Sequence, residues 1–336
     1  MAKRPRIADV AAAAGVSTAT VSMVLNGTGG RRIGAETSHR VRQAAESLGY
    51  RPNSVARGLR TRRTQMIGFI GDDVATTPFA GQMIRGAHDA AKDAGHLLLM
   101  TDTGGDPGEI AEAVEALQQR QTDGLVIATM YHQVVELPES AAALPHVLLN
   151  SRPARGGCSW TAPDEKGGSE AVLSELTALG HTRIAHLTTA EDVPAKHLRA
   201  ETWRDLAGPE AADLYREVPS ASTPHGYAGA LELLRRADRP TAVFCFNDRM
   251  AMGLYRAAAE LGLSLPDDLS VVSYDDQELI APALHPGLTS AALPHYDMGR
   301  WAVEELLRRM SEPGAEPAGR LMPCPVARRD STAPPA

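Results

Sequence analysis

The chain has 336 residues, of which 43% are apolar and 22% charged, a composition typical of globular proteins with two or three packed units. Its formal net charge of −7 conceals an asymmetry, because residues 1–65 carry twelve Lys and Arg against three acidic residues, a net charge of +9. The remaining residues therefore carry −16. A basic head on an acidic body indicates a polyanionic partner for the head alone.

Several classes of protein are excluded by what the sequence lacks. The three cysteines, Cys158, Cys245 and Cys324, lie far apart without a CxxC spacing, which argues against a disulfide framework and against a zinc site. No apolar run is long enough to span a membrane, and no secretory leader is recognisable, so we expect a cytoplasmic protein. The phosphate-binding and hydrolase motifs GxGxxG, GxxxxGK[ST], HExxH and GxSxG are absent from their required contexts. We therefore expect no cofactor, no metal and no enzymatic activity.

The first fifty residues have the pattern of three short helices. A helix is predicted from Ile7 to Ala14, followed by a turn at Gly15 and a second helix capped by Ser17. A third helix is predicted to begin near Ala35 and to end at Gly49. This arrangement matches the helix-turn-helix plan, in which the second helix enters the major groove of DNA.

The second predicted helix has two different faces. Its apolar stripe, spaced at 3.6 residues, consists of Val21, Val24 and Leu25. Short hydroxyl, amide and methyl groups on the other face suit phosphate oxygens and base edges at close approach. The alternative is a surface helix whose hydroxyls are merely solvated. The residues predicted to point away from the stripe are Ala19, Ser22, Met23 and Asn26.

From Met66 onward, short apolar runs alternate with helical patterns, which predicts a parallel α/β architecture. The runs MIGFIG, HLLLMT and GLVIAT precede a Gly- and Pro-containing stretch at 151–157, and RIAHL, AVFCF and LSVVSY follow it. Two α/β halves of this kind leave a cleft between their strand ends, where ligands bind in open sheets.

Four stretches together resemble the lactose and galactose repressor family of bacterial transcription regulators. They are IADVAAAAGVSTATVSMVLN, ETSHRVRQAAESLGYRPNSVARGLR, FNDRMAMGLY and SVVSYDDQEL. The resemblance implies an all-α helix-turn-helix head, a hinge helix and a two-lobed core similar to periplasmic binding proteins, with two parallel doubly wound sheets. It also implies a homodimer that reads a pseudo-palindromic operator.

The domain boundaries predicted on this basis divide the chain into four parts. The head covers 1–51, the hinge helix and linker 52–64, the core 65–330, and a flexible tail 331–336. Within the core, the first lobe takes about 65–160 plus 291–320, and the second lobe takes about 161–290 plus 321–330. The short Pro-rich end lacks the leucine heptads of a tetramerisation segment, so we expect a dimer.

The resemblance also assigns residues to the DNA interface. Leu59 matches the apolar residue that such proteins insert into the minor groove, although it could instead pack between head and core. The chain departs from the family at Met23, where members commonly carry Arg, and in the longer stretch GTGGRRIGAE, both of which bear on DNA specificity. The predicted DNA-binding residues are Ser17, Thr18, Ala19, Thr20, Ser22, Met23, Asn26, Asn53, Ala56, Arg57, Leu59 and Arg60.

For the effector site, the resemblance selects polar residues near strand ends. Asn247 follows AVFCF and Asp275 follows LSVVSY, so both are expected at the cleft. Arg with carboxylate and amide partners suits the hydroxyls of a sugar, although surface pairing, helix capping or simple packing would explain each residue singly. The predicted effector-binding residues are Phe79, Asn150, Arg199, Asn247 and Asp275.

The function predicted is a ligand-responsive repressor of carbohydrate-utilisation genes, released from its DNA operator by a saccharide. In the alternative, a co-repressor mechanism, a nucleobase or another small metabolite promotes DNA binding. This mechanism would use the same head, hinge and core. A solute-binding protein would have a secretory signal and no basic head, which is the reverse of this sequence.

Overall fold

The computed structural model describes residues 5–26, 33–51, 63–72, 74, 80–104 and 106–335. The chain divides into two compact units, Met1–Thr64 and Gln65–Ala336. In the described part, no single helix is long and apolar enough to cross a membrane, and the first two helices meet that test only as a pair bent by 100°.

The smaller unit consists of three helices around a common apolar centre. They are α1 (Ile7–Ala14), α2 (Thr18–Leu25) and α3 (Ala35–Ser47). Gly15 adopts a φ of 64° between α1 and α2, a conformation that glycine adopts without strain. The Ser17 hydroxyl caps α2 by accepting a hydrogen bond from the Thr20 backbone N–H at 3.1 Å, as predicted. The buried side chains of the three helices are Val10, Ala11, Ala14, Val21, Val24, Val41 and Ala45.

The larger unit contains two six-stranded sheets. The first sheet has the strand order β11-β5-β4-β3-β1-β2, and every pairing in it is parallel. Helices α4 (Gly81–Asp93), α5 (Pro107–Gln119) and α10 (His295–Ser311) belong to this first lobe. Its strands are β1 (Met66–Asp72), β2 (Leu97–Asp102), β3 (Gly124–Val135), β4 (His146–Pro153), β5 (Ser159–Pro163) and β11 (Gly319–Met322).

The second sheet has the order β12-β10-β9-β8-β6-β7 and is parallel except for the antiparallel pair of β10 and β12. Its strands are β6 (Ile184–Thr189), β7 (Tyr215–Val218), β8 (Ala242–Cys245), β9 (Ser270–Asp275), β10 (Thr289–Ala292) and β12 (Val326–Ala327). The helices of this second lobe are α6 (Glu165–Ala178), α7 (Pro194–Ala207), α8 (Thr223–Leu234) and α9 (Asp248–Glu260).

The chain crosses between the lobes three times, after β5, after β10 and after β11. The crossings lie within two or three residues of the predicted lobe boundaries. The predicted fold class, a helix-turn-helix segment and a two-lobed α/β core, is confirmed. The prediction from sequence missed the helices α7 and α10, and it missed the strands β4, β5, β7, β10, β11 and β12, although it included β2 at one edge of the first sheet.

The prediction of a flexible tail at 331–336 is wrong for residues 331–335. Ser331 is fully buried, and its hydroxyl donates to the Val271 carbonyl at 2.6 Å and accepts from the Thr289 N–H at 2.8 Å. The Ala333 N–H donates to the Ser270 hydroxyl at 2.9 Å. The segment packs because it supplies partners to buried backbone groups of β9 and β10, a role that composition does not reveal.

We expect Ser331→Ala to lower the free energy of unfolding by about 1–3 kcal/mol, because it leaves a buried N–H and a buried carbonyl without their partner. Ser311→Ala, at an exposed helix end, is the control and should change the free energy by less than about 0.5 kcal/mol. Urea denaturation of the two variants measures the difference. Equal effects would mean that the tail contributes nothing to the second lobe.

Candidate functional site

The outward face of α2 presents small polar groups, as predicted. Ser17, Thr18 and Ala19 are exposed, whereas Thr20, Ser22, Met23 and Asn26 are half-buried. Asn26 donates through Nδ2 to the Ser22 carbonyl at 2.7 Å and to its hydroxyl at 3.2 Å. The hydroxyls of Ser17 and Thr20 lie 2.9 Å apart. These contacts are local, so the face is held in place while its polar atoms remain close to the surface.

Several predicted site residues lie outside the described residues. They are the effector candidate Phe79 and the hinge candidates Asn53, Ala56, Arg57, Leu59 and Arg60.

In the second lobe, Arg199 is the centre of a buried polar network. It is 3% exposed, and its Nε donates to Oε2 of Glu165, itself 2% exposed, at 2.8 Å. Its Nη1 donates to the Phe246 carbonyl and lies 3.7 Å from Oδ1 of Asp275. The guanidinium carbon is 3.6 Å from the centre of the Tyr274 ring. The carboxylates and the aromatic face thus compensate a charge that would otherwise be expensive to bury.

A second carboxylate, Asp248, sits beside this network and fixes the turn after β9. Its Oδ2 accepts from the Gln277 N–H at 2.6 Å and its Oδ1 from the Ser290 hydroxyl at 2.8 Å. Gln277 also donates through Nε2 to Oδ2 of Asp275 at 2.9 Å. One glutamine therefore connects both carboxyl groups and orients the strand end that carries Asp275.

Burial and mutual repulsion change the proton affinity of these two groups. Burial, followed by the charge of Asp275, raises the pKa of Asp248 to about 7. Burial also raises the pKa of Asp275 to about 6, although the charge of Arg199 opposes this change. The pair therefore gains or loses protons near neutral pH.

The two asparagines predicted to bind the effector both form hydrogen bonds that stabilise the local backbone. Asn247 caps α9, since its Oδ1 accepts from the Met250 N–H at 2.9 Å and its Nδ2 donates to the Ala221 carbonyl at 3.2 Å. Asn150 lies within β4, where the register against β3 shifts; it has a φ of 60° and donates through Nδ2 to the Thr129 and Met130 carbonyls at 3.0 Å. Its buried Oδ1 has no hydrogen-bond partner among the described residues.

Hydrogen bonds between described residues connect the lobes at the cleft. Arg249 donates through Nη2 to the Tyr131 hydroxyl at 3.2 Å, and Gln82 donates through Nε2 to Glu278 at 3.3 Å. A cavity of about 720 Å³, lined in part by Gln82, Arg249 and Asp275, lies at this edge. This volume is within the range of small-molecule sites.

The structure thus brings Arg199 and Asp275 together in the second lobe, with Asn247 next to Phe246, whose carbonyl Arg199 contacts. It places Asn150 within β4 of the first lobe. Sequence reasoning missed Glu165 because β5, the strand that precedes it, was not predicted. It also did not assign Asp248 to the site, although Asp248 holds the turn after β9 while Asn247 caps α9.

A helix-turn-helix unit joined to a two-lobed core with a polar cleft defines the class of ligand-responsive DNA-binding regulators. Residues 6–53 match the family "Bacterial regulatory proteins, lacI family", and residues 173–332 match "Periplasmic binding protein-like domain". The chain belongs to the lacI family of bacterial regulatory proteins. Members of this family bind operator DNA and small-molecule effectors, and they are transcriptional regulators rather than enzymes, as predicted.

Two curated relatives illustrate the similarity. The chain is 33% identical to the ribose operon repressor of Escherichia coli strain K12, over 91% of this chain and 93% of the relative. It is 31% identical to the HTH-type transcriptional repressor PurR of Vibrio vulnificus, over 91% of this chain and 92% of the relative.

Two solved structures resemble the fold closely. The lac repressor dimer bound to operator and the anti-inducer ONPF has a TM-score of 0.78 and 26% identity, over 98% of this chain and 100% of that chain. A LacI family transcriptional regulator from Enterococcus faecium with bound ribose has a TM-score of 0.65 and 26% identity, over 81% of this chain and 100% of that chain.

The raised pKa of Asp248 predicts a pH-dependent stability. Because the pKa rises from 3.8 to about 7 on folding, this carboxyl stabilises the folded state below pH about 4, and the contribution is lost as the pH rises to about 7. Asp248→Asn does not titrate and keeps an acceptor for the Gln277 N–H. We therefore expect the melting temperature of the variant, relative to the wild type, to increase steadily between pH 4 and pH 7.

Differential scanning calorimetry at intervals across this range measures the effect. Asp205→Asn, at an exposed position of α7, is the control and should give a flat difference. A flat difference for Asp248→Asn as well would show that the buried carboxyl keeps its ordinary proton affinity.

Proposed function

We propose that the protein is a homodimeric repressor that binds a pseudo-palindromic operator in the bacterial cytoplasm and is released by a saccharide effector held in the cleft. The observation that carries the proposal is the buried polar set around Arg199, which lies at the strand ends of a core whose chain also supplies a helix-turn-helix unit.

The DNA-binding part of the proposal rests on α2 and on charge. The apolar stripe Val21 and Val24 is buried against the other helices, which leaves the hydroxyl-bearing face available. The net charge of +9 over residues 1–65 favours the phosphate backbone. Because one helix-turn-helix unit reads one half-site, two copies of the chain are needed for a pseudo-palindrome. The resemblance to a repressor dimer bound to operator supports this arrangement.

The effector part rests on the chemistry of the cleft. Asp275 carries acceptor oxygens, Arg199 carries fixed donors beside it, and Asn150 offers a buried acceptor from the opposite lobe. Sugars present adjacent hydroxyls that both donate and accept, so this set matches a saccharide. The similarity to a ribose operon repressor and to a regulator with bound ribose makes D-ribose the first probe.

A second candidate is a co-repressor mechanism, in which a nucleobase promotes DNA binding. Because the chain is 31% identical to the relative PurR, the experiment has to include a nucleobase among its probes. The two mechanisms differ only in which dimer state binds the small molecule better.

Selection of operators from a random duplex library at fixed salt tests the proposal. The enriched duplex is then titrated with D-ribose, D-galactose, cellobiose and hypoxanthine, and light scattering reports the oligomeric state. A pseudo-palindrome bound by a dimer and released by a sugar is the expected result. Enrichment only in the presence of hypoxanthine would replace the effector mechanism with co-repression. No enrichment under any condition would refute the function.

We expect Asp275→Asn to keep its affinity for the selected operator but to bind D-ribose about 10–100-fold more weakly, because a charged acceptor for a sugar hydroxyl is lost. Asp205→Asn is the matched control outside the cleft and should respond as the wild type does. Fluorescence anisotropy of labelled operator, with and without sugar, measures both quantities. Unchanged release of Asp275→Asn would remove Asp275 from the effector site.

A further inference from the structure

His132 occupies an unusual position on the wall of the first lobe. It belongs to β3, whose register against β4 shifts between Ala128 and Gln133. Past the shift, β3 continues to Val135, and helix α7 of the second lobe packs against this strand. The neighbouring Tyr131 accepts the hydrogen bond from Arg249 that joins the lobes. His132 therefore lies where the two lobes approach each other.

The imidazole of His132 is buried and has no hydrogen bond to the residues that the structure describes. Its exposure is 3%, and neither ring nitrogen has a partner within the ranges that the structure describes. Buried polar atoms of this kind are rare, because each loses its water without a replacement. By contrast, the buried His181 contacts the hydroxyls of Thr241 and Ser270 and the carbonyl of Ala333. A ring nitrogen of the buried His186 also lacks a partner in the described part of the chain, but only His132 among the buried histidines described there has neither ring nitrogen bonded.

The charges that face His132 come from both lobes. Burial, then Arg152 on β4 and Arg199 on α7, lowers the pKa of His132 to about 4. The imidazole is consequently neutral at physiological pH, with one nitrogen that donates and one that accepts. Asn150, on the strand beside it, has a second buried acceptor without a partner among the described residues. Two polar side chains on adjacent strands can thus each accept a hydrogen bond from a hydroxyl group.

We propose that His132 is a specificity-determining contact of the effector site, and that one of its ring nitrogens hydrogen-bonds a hydroxyl group of the saccharide. The inference rests on the proposed function and extends it to the first-lobe wall. A hydroxyl fits because it both donates and accepts, and therefore satisfies a neutral imidazole in either tautomer. The group that enters the cleft with the sugar replaces the water that His132 lost on folding.

The test compares three variants of the full-length protein. His132→Leu removes both nitrogens at similar volume, and His132→Gln keeps one donor and one acceptor. His146→Leu is the matched control, because His146 begins β4 at the end of the sheet remote from the cleft. Calorimetric titration with D-ribose, operator affinity without sugar, and the melting temperature without sugar are measured for each.

The expected result is that His132→Leu binds D-ribose at least tenfold more weakly, with His132→Gln between it and the wild type. Operator affinity stays unchanged, and the melting temperature of unliganded His132→Leu equals or exceeds that of the wild type, because an unpaired polar group has been removed. His146→Leu binds D-ribose normally.

Three outcomes would overturn the inference. If wild type and His132→Leu bind D-ribose equally, His132 does not contact the sugar. If His132→Leu melts at a lower temperature and also loses operator affinity, the residue is structural. If the wild type itself does not bind D-ribose, the proposed effector fails first, and the role of His132 falls with it.

Discussion

The arrangement of the cleft depends on how one buried cation, Arg199, is neutralised. Glu165 at the start of α6, Asp275 at the end of β9 and the ring of Tyr274 surround the guanidinium from three sides. The two carboxylates compensate this buried charge together. In comparable buried pairs, loss of the partner costs about 3–5 kcal/mol. This requirement fixes α6, α7 and β9 relative to one another and so builds the rigid wall against which an effector is recognised.

The opposite wall of the cleft belongs to the first lobe. It is attached to the second lobe by three chain crossings and by hydrogen bonds such as those of Tyr131 with Arg249 and Gln82 with Glu278. On the first lobe, Asn150 and His132 keep buried polar atoms without partners in the described part of the chain. An effector that supplies those partners favours one arrangement of the lobes over another, and this differential affinity is what shifts a regulator between states.

Hydrophobic periodicity and the positions of strand ends predicted much of the DNA-binding unit and part of the effector site. The stripe of Val21 and Val24 and the cap at Ser17 depend on neighbouring residues, so the sequence contains them fully. Asp275 was predictable because parallel strands end at one edge of a sheet. His132 was not predictable, because its position depends on a register shift in β3 and on α7, a helix distant in sequence that packs against that strand. The burial of Ser331 likewise depends on β9 and β10, which no local pattern in a Pro-rich tail indicates.

The central claim is that operator DNA and a saccharide bind to distinct parts of one molecule and influence each other. The most direct measurement is a closed thermodynamic cycle: operator affinity with and without saturating D-ribose, and D-ribose affinity with and without saturating operator. The account predicts that ribose weakens operator binding at least tenfold and that operator weakens ribose binding by the same factor, since linkage is reciprocal. If ribose leaves operator affinity unchanged and operator leaves ribose affinity unchanged, the claim is contradicted.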